Sequence, residues 1–304
     1  MSDRFDFLEI GDEKPQTPPL SGGEETYRTG WQPGRLRAVE VIGDAGTGVG
    51  QFSAPTGLAV DQHGAVLIVD SNNHRIQRIG MNGEVKVYGR PGNAPGELWG
   101  PQAVAVDPNG QHFYVAEQGN HRVQCFQMNG QHRGVLTGLR NPSGLAFDMA
   151  GRLWVADTGN GRVLCFDTRG GKYIGCLDRA ADVFRPISLA CDRARHLYIT
   201  EGAAEDVVCY AEYTRKAGSL GENRRLYAPK QIAIDHHGFI YMAESGADRL
   251  HVLSQRGESL VTFDTPSRRS GALRSPSGVA LGPNGEIYVS DTLNHRVLRL
   301  EWEA

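Results

Sequence analysis

Apolar and polar residues alternate in one repeating order from about residue 55 to the end of the chain. A short apolar run is followed by an acid in most copies, then a glycine-containing turn, and then a second apolar run that always ends in an acid. Residues 57–61 and 66–70 are the first such pair. Runs this short and continuous predict β-strands that are packed on both faces.

The same order restarts at six prolines, with steps of 46, 41, 44, 43 and 47 residues. A fixed period in this range predicts a β-propeller in which each repeat forms one four-stranded blade. We therefore expect one all-β domain, a six-bladed β-propeller over residues 35–302. Its blades begin near the repeat prolines, which are Pro55, Pro101, Pro142, Pro186, Pro229 and Pro276.

The two ends of the repeat region predict how the ring closes. Residues 35–42 form a strand, and the glycine-rich loop behind it (residues 43–55) matches the loop behind the outermost strand of blade one (residues 89–101). The last repeat has only three strands before the chain ends. The N-terminal strand should therefore complete the C-terminal blade, which removes two open sheet edges.

Residues 1–34 stand outside the repeat. Prolines and glycines interrupt any regular element there, and acidic residues outnumber basic ones, so we expect a disordered tail. Residues 5–10 alternate apolar and acidic side chains and suggest a short docking peptide, although an ordinary flexible terminus fits equally. An acidic tail could also fold back over a basic face of the propeller.

Composition narrows the compartment and the class of partner. The chain has 304 residues, and its 32 Lys and Arg nearly balance its 35 Asp and Glu, which does not fit a wholly basic nucleic-acid binder. Neither a signal peptide nor an apolar run of 18 residues is present, so no membrane contact is expected. The five cysteines lack disulfide or metal spacing, which favours a reducing, cytoplasmic location.

A short motif after the second strand resembles a known family. Residues 291–297 read Asp-Thr-Leu-Asn-His-Arg-Val, and residues 70–76 and 117–123 follow the same pattern. This resembles the NHL repeat, although blade four lacks both Asn and Arg and blade five keeps only Arg249. The resemblance implies a six-bladed propeller with a central channel. Such propellers include RNA-binding domains of tripartite-motif proteins, bacterial sensor domains and a zinc-dependent amidating lyase, so fold alone does not fix function.

The lyase alternative needs histidines that converge on zinc at the channel mouth. The residues after each repeat proline should approach that mouth, and none is a histidine; they are Thr56, Gln102, Ser143, Ile187, Lys230 and Ser277. His74, His121 and His295 lie too far apart by symmetry. We expect these histidines, with the arginines that follow them, to hold turns by pairing with the strand-two acids. Candidate ion pairs are Asp70–Arg75, Asp157–Arg162 and Asp291–Arg296. No nucleophile elbow or phosphate loop occurs, so we predict no catalytic residue, cofactor or metal.

Residues outside the repeat pattern suggest a binding face. The residue three places before each repeat proline is always apolar and predicts core, whereas the residue two places before varies. In residues 137–141, 218–228 and 265–275, six arginines stand against one glutamate. The predicted partner-binding residues are Trp99, Arg140, Phe184, Arg185, Arg224, Arg225, Tyr227, Lys230, Arg268, Arg269 and Arg274.

Arginine with interleaved aromatic residues suits two kinds of partner. It fits a protein or peptide, because Trp, Tyr and Arg are frequent interface anchors. It also fits single-stranded RNA, through phosphate contacts and base stacking. A third interpretation needs no partner, since the aromatic side chains could pack between neighbouring loops with the arginines covering them. The sequence favours a binding or scaffolding module that recognises a protein, with RNA as the alternative.

Overall fold

A computed structural model describes residues 34–169, 171–178, 182–202, 205–221, 226–264 and 271–303. Nearly all regular structure in these ranges is β, and six antiparallel four-stranded sheets form the six blades of a propeller. The predicted fold class is therefore confirmed. The predicted tail, including residues 5–10, lies outside the described residues and stays a prediction.

Blades one to three follow one another along the chain. Blade one consists of β4 (Pro55–Val60), β5 (Val66–Asp70), β6 (Arg75–Ile79) and β7 (Val85–Tyr88). Blade two consists of β8 (Pro101–Val106), β9 (His112–Glu117), β10 (Arg122–Gln127) and β11 (His132–Leu136). Blade three consists of β12 (Gly144–Phe147), β13 (Arg152–Asp157), β14 (Arg162–Asp167) and β15 (Lys172–Leu177).

Blades four and five keep the same order, and blade six combines both ends of the repeat region. Blade four consists of β16 (Pro186–Cys191), β17 (His196–Glu201), β18 (Asp206–Ala211) and β19 (Arg215–Ser219). Blade five consists of β20 (Pro229–Ile234), β21 (Ile240–Glu244), β22 (Arg249–Leu253) and β23 (Ser259–Phe263). Blade six consists of β24 (Gly278–Leu281), β25 (Ile287–Asp291), β26 (Arg296–Trp302) and β1 (Leu36–Ile42).

The N-terminal strand closes the ring as predicted. β1 pairs antiparallel with β26, from Leu36 opposite Trp302 to Ile42 opposite Val297, with one irregularity between Ala38 and Glu40. Two short strands, β2 (Asp44–Ala45) and β3 (Gln51–Phe52), then pair in parallel within the glycine-rich loop that leads to blade one. Pairing β1 with β26 satisfies backbone groups that would otherwise form an open edge.

The core is layered between neighbouring blades. Trp154 of blade three packs with Ile199 and Tyr210 of blade four, and Ile68 of blade one packs with Tyr288 of blade six. The residues three places before the repeat prolines join these layers and are at most 7% exposed, as predicted; they are Phe52, Leu98, Leu139, Val183, Leu226 and Leu273. Strands buried on both faces explain the continuous apolar runs in the sequence.

The first strands of the six blades lie side by side around the channel, and β24 contacts β4 across the ring closure. All six begin at the same end of the propeller, where the second strands end in their acids. We call this end the rim face. Short 3-10 turns follow four of the acids there; they span Ser71–Asn73, Thr158–Asn160, Ser245–Ala247 and Thr292–Asn294. In the described part of the chain, no helix has the length and apolar character needed to cross a membrane.

Candidate binding face and channel mouth

The acid at the end of each second strand is buried and fixes the loop that precedes the repeat proline. Five of these carboxylates are 0% exposed and Glu201 is 2% exposed. Each accepts the backbone N–H of the residue two places before the proline, at 2.6–3.2 Å. The donors are Ser53, Trp99, Arg140, Phe184, Tyr227 and Arg274.

The backbone carbonyl of the same loop residue is also bonded. In five blades it accepts the N–H of the residue two places after the acid, at 2.8–3.2 Å. The donors are Asn72, Gly119, Gly159, Gly246 and Leu293. Blade four shifts this contact by one residue, because Gly202 N–H bonds the Arg185 carbonyl at 3.0 Å. The loop is therefore held by its main chain, and its side chain is free to differ between blades.

Two glycines allow this close approach between loops. A Cβ on Gly119 would lie 2.2 Å from Cδ1 of Trp99, and one on Gly159 would lie 2.6 Å from Cγ of Arg140. Neither distance is compatible with a real side chain, so these positions need glycine for space.

The predicted ion pairs are confirmed. The Nε atoms of Arg75, Arg162 and Arg296 lie 2.7, 2.7 and 2.8 Å from the carboxylates of Asp70, Asp157 and Asp291. Equivalent pairs join Glu117 to Arg122 and Glu244 to Arg249. In the blades that keep it, the motif Asn also donates to the acid; the four residues are Asn73, Asn120, Asn160 and Asn294.

The predicted partner of the histidines was wrong. Their side chains do not pair with the acids of their own blades; they accept backbone N–H groups from the next blade. Nδ1 of His74 bonds Gly100 N at 3.1 Å, Nδ1 of His121 bonds Asn141 N at 3.2 Å, and Nδ1 of His295 bonds Ala54 N at 3.0 Å. Asp248 does the same in blade five, bonding Ser275 N at 2.6 Å. All four acceptor residues have left-handed backbones, with φ of 52–56°, which aims their side chains at the neighbouring loop.

The rim face carries several of the predicted binding residues. Trp99, Phe184 and Tyr227 are 48, 53 and 43% exposed, and Arg140 and Arg274 are also exposed. The Trp99 ring stacks on His74 with centroids 4.1 Å apart, so packing between loops accounts for part of that side chain. Four further predicted residues, Arg224, Arg225, Arg268 and Arg269, lie outside the described residues.

The channel mouth brings together the six residues that follow the repeat prolines, as expected. They line a cavity of about 190 Å³ that also includes Gln118, Thr158, Arg185 and Gln231. Of the predicted binding residues, Arg185 and Lys230 belong to this cavity. Burial, together with the nearby Arg185 charge, lowers the pKa of Lys230.

Gln231 is a structural residue at the channel that our sequence analysis missed. Its side-chain amide reaches from blade five to blade one, accepting from Leu58 N at 3.0 Å and donating to Leu58 O at 2.8 Å. This bridge crosses the channel. A signal was available, because the other five blades have a small residue at this repeat position; they have Gly57, Ala103, Gly144, Ser188 and Gly278.

Blade four delivers Arg185 to the channel because its loop departs from the repeat. In the other blades the residue before the proline has φ of 46–58°, as at Ala54 and Ser275. Arg185 is not among the positive-φ residues, and its N–H bonds Glu201 at 3.0 Å. Among the described residues Glu201 also has no arginine partner, since Asp206 occupies the usual arginine position. Burial raises the pKa of Glu201 despite the N–H groups of Arg185 and Phe184.

Cys125 and Cys165 are buried, whereas Cys176, Cys191 and Cys209 are partly exposed. Cys125, Cys165 and Cys209 lie at equivalent places on the third strands, and all five cysteines are free thiols. Burial raises the pKa of the Cys125 thiol to about 11 and that of Cys165 to about 12. Within the described ranges, no group of three or more His, Cys, Asp or Glu residues could hold a metal ion.

The sequence matches the NHL repeat model over residues 52–79, 98–126, 139–166 and 273–300. These segments lie in blades one, two, three and six, which are the blades that keep the acid, Asn and Arg. Protein brain tumor of Drosophila melanogaster is 34% identical over 118 residues, covering 38% of this chain and 11% of that protein. E3 ubiquitin-protein ligase TRIM32 of Mus musculus is 25% identical over 301 residues, covering 84% of this chain and 43% of that protein. The chain thus spans less than half the length of these relatives.

Solved structures agree on the fold. A gluconolactonase from Xanthomonas campestris superposes with a TM-score of 0.68 at 14% identity, covering 93% of this chain and 99% of that one. A chain of the nidogen/laminin complex superposes with a TM-score of 0.62 at 20% identity, covering 75% and 84%. Identities this low establish a shared architecture and carry no catalytic assignment.

Proposed function

The chain belongs to the NHL-repeat family of six-bladed β-propellers, and we propose that it is a non-enzymatic binding module that recognises a protein or peptide through its rim face. Function within a common fold is decided by the site rather than by the architecture. The site in question consists of Trp99, Arg140, Phe184, Tyr227 and Arg274, with further arginines nearby in the sequence.

One observation carries this proposal. The loops before the prolines are held by main-chain hydrogen bonds to the buried acids, so the fold does not require large side chains there. Even so, Trp99, Phe184 and Tyr227 remain about half exposed on one face. Exposed aromatic residues grouped with arginine are typical anchors of protein interfaces.

The charge of the rim face indicates the chemistry of the partner. Arg140 and Arg274 are exposed there, whereas the carboxylates at the ends of the second strands are buried. Arg224 and Arg225 precede Tyr227 in the sequence, and Arg268 and Arg269 precede Arg274. Complementary charge favours an acidic peptide that also offers apolar side chains.

A peptide selection with matched variants tests this function. Peptides selected from a random linear library on the full chain are expected to be acidic, and their affinity is measured by fluorescence anisotropy. The variant Trp99→Ala/Phe184→Ala/Tyr227→Ala should weaken binding by about a hundredfold or more, because each anchor contributes at least about 1 kcal/mol. The control is Met149→Ala/Ile174→Ala, which removes exposed apolar side chains 70 and 39% accessible at the opposite end. Equal losses in both variants would contradict the proposal.

Single-stranded RNA is the second candidate, and the alternation of arginines with exposed aromatic residues favours it. Phosphate contacts make such binding fall steeply with salt. Binding of a random RNA pool is therefore measured from ~50 to ~200 mM salt with the same three-alanine variant. Tight, strongly salt-dependent binding that the variant loses, with no selected peptide, would favour RNA over protein.

A further inference from the structure

The mouth of the channel is a small, partly open cup that every blade helps to build. Its lining includes the residues after the six repeat prolines, and its volume is about 190 Å³. The bridge from Gln231 to Leu58 crosses the channel beside them. We call this cavity the channel cup. At about 30 Å³ per water, it has room for roughly six waters or one small organic molecule.

The lining of the channel cup is positively charged, and Arg185 also interacts electrostatically with the buried Glu201 outside that lining. Arg185 and Lys230 line the cup, and its lining contains no carboxylate. Among the described residues, neither cation forms an ion pair within 4.0 Å. Two like charges in a partly desolvated cavity repel one another, and an anion between them would relieve that repulsion.

The polar groups of the cup divide into occupied and available donors. The hydroxyl groups of Thr56, Ser143 and Thr158 already have hydrogen-bond partners. Each bonds another hydroxyl group and a backbone carbonyl, as in Ser143 Oγ to Ile187 O at 2.7 Å. No hydrogen bond from the side-chain amides of Gln102 and Gln118 is found within the described ranges, and both residues line the cavity. Two cations and two amides thus remain to donate to a guest.

We propose that the channel cup binds a small organic acid or phosphate ester through one oxyanionic group held between Arg185 and Lys230. The planar fork of an arginine matches carboxylate and phosphate oxygens, and lysine adds a compact point charge. The glutamine amides would hydrogen-bond the rest of the guest. This proposal does not depend on the partner proposed for the rim face, because the cup and the exposed aromatic residues are separate features.

A variant at Lys230 tests whether the cup is built for binding rather than for stability. Lys230 is half buried and its pKa is lowered by burial and then by Arg185, so its charge is disfavoured in the folded protein. Lys230→Met should therefore raise the unfolding temperature of the unliganded protein while removing a ligand group. Stability gained at the expense of binding is typical of functional sites.

Isothermal titration calorimetry with succinate, inorganic phosphate and neutral succinamide tests the proposal on the full chain. We expect at least one anion to bind and succinamide not to bind, and the stronger anion identifies the preferred group. Lys230→Met and Arg185→Gln should each weaken that binding at least tenfold, because a charge-assisted hydrogen bond is lost. Arg256→Gln is the matched control, since Arg256 is exposed in the turn between β22 and β23, outside both the cup and the rim face, and it should bind like the unaltered protein.

Three results would overturn the proposal. The first is that neither anion binds below about 10 mM, which corresponds to less than ~3 kcal/mol. The second is that Lys230→Met binds the anion with unchanged affinity while its unfolding curve shows a folded protein. The third is that Arg256→Gln loses as much affinity as Arg185→Gln. Because the rim variants are not used here, failure of this experiment leaves the proposed function untouched.

Discussion

In the residue two places before each repeat proline, the backbone serves folding and the side chain is left for recognition. Its N–H bonds the buried strand-two acid and, in five blades, its carbonyl bonds the next turn. The sequence revealed this position because the chain contains six copies of the repeat, and at this position the side chains vary between aromatic, basic and small. The backbone contacts that permit this variation are not visible in the sequence, since any residue supplies the same N–H and C=O.

Two of the buried acids should respond to pH in opposite directions. Burial raises the pKa of Glu201, which forms no ion pair with an arginine of the described ranges. Burial acts on Glu244 too, but hydrogen bonds from His251, Arg249 and the Tyr227 N–H outweigh it and lower its pKa. Glu244 therefore stabilises the fold above the unfolded pKa of about 4.3 and loses this contribution as pH falls. Glu201 stabilises the fold in its protonated form, so its contribution is complete below the unfolded pKa of about 4.3. This contribution is lost as pH rises through the raised pKa of Glu201 in the folded protein.

Urea unfolding at pH 7 and pH 4.5 compares the two glutamates. Glu244→Gln should lower the free energy of unfolding by about 3 kcal/mol at pH 7, because Arg249 loses its buried partner, and the loss should shrink at pH 4.5. Glu201→Gln should cause no loss at pH 7, because it removes a disfavoured charge. Similar destabilisation in both variants at pH 7 would show that the missing arginine has no consequence.

The turns between second and third strands connect neighbouring blades. His74, His121, Asp248 and His295 each reach from their own turn to the loop of the next blade. The repeat suggested that the three histidines hold turns, with the acid of the same blade as their partner, and it gave no such role to Asp248. The actual partner could not be inferred from spacing alone, because His295 and Ala54 are 241 residues apart in the chain.

His295→Ala tests this connection at the ring closure. It should lower the free energy of unfolding by about 1–2 kcal/mol, because it removes a hydrogen bond and leaves alanine with a left-handed backbone. His295→Asp copies blade five, where Asp248 accepts the equivalent N–H, and should retain most of the stability. Chemical denaturation measures both. If the aspartate variant loses as much as the alanine variant, acceptor geometry is not what holds the blades together.

The whole ring depends on a strand far from its partner in sequence. Leu36 of β1 is 4% exposed and packs with Leu298 and Leu300 of β26. The repeat predicted this closure, because an outer strand without inner strands had to pair with a blade that lacked one. Sequence could not predict how blade four would differ in detail. Loss of its Asn and Arg was visible, but the resulting delivery of Arg185 to the channel follows from loop geometry.

Leu36→Ala measures the contribution of the closing strand. It should cost about 2–3 kcal/mol, because it leaves a cavity in the layer between blades five and six. Val41→Ala lies on the same strand but starts from a side chain that is 48% exposed, so its cost should stay within about 0.5 kcal/mol. Differential scanning calorimetry compares them. Equal effects would mean that β1 is docked on the ring without being part of its core.

The central claim is that the rim face binds the partner, and amide hydrogen exchange with and without a selected ligand tests it most directly. We predict that binding slows exchange in the loops that end at Pro101, Pro186 and Pro229, where Trp99, Phe184 and Tyr227 lie. Exchange in the turns between first and second strands, such as residues 148–151 at the opposite end, should not change. Protection confined to those opposite turns would contradict the claim.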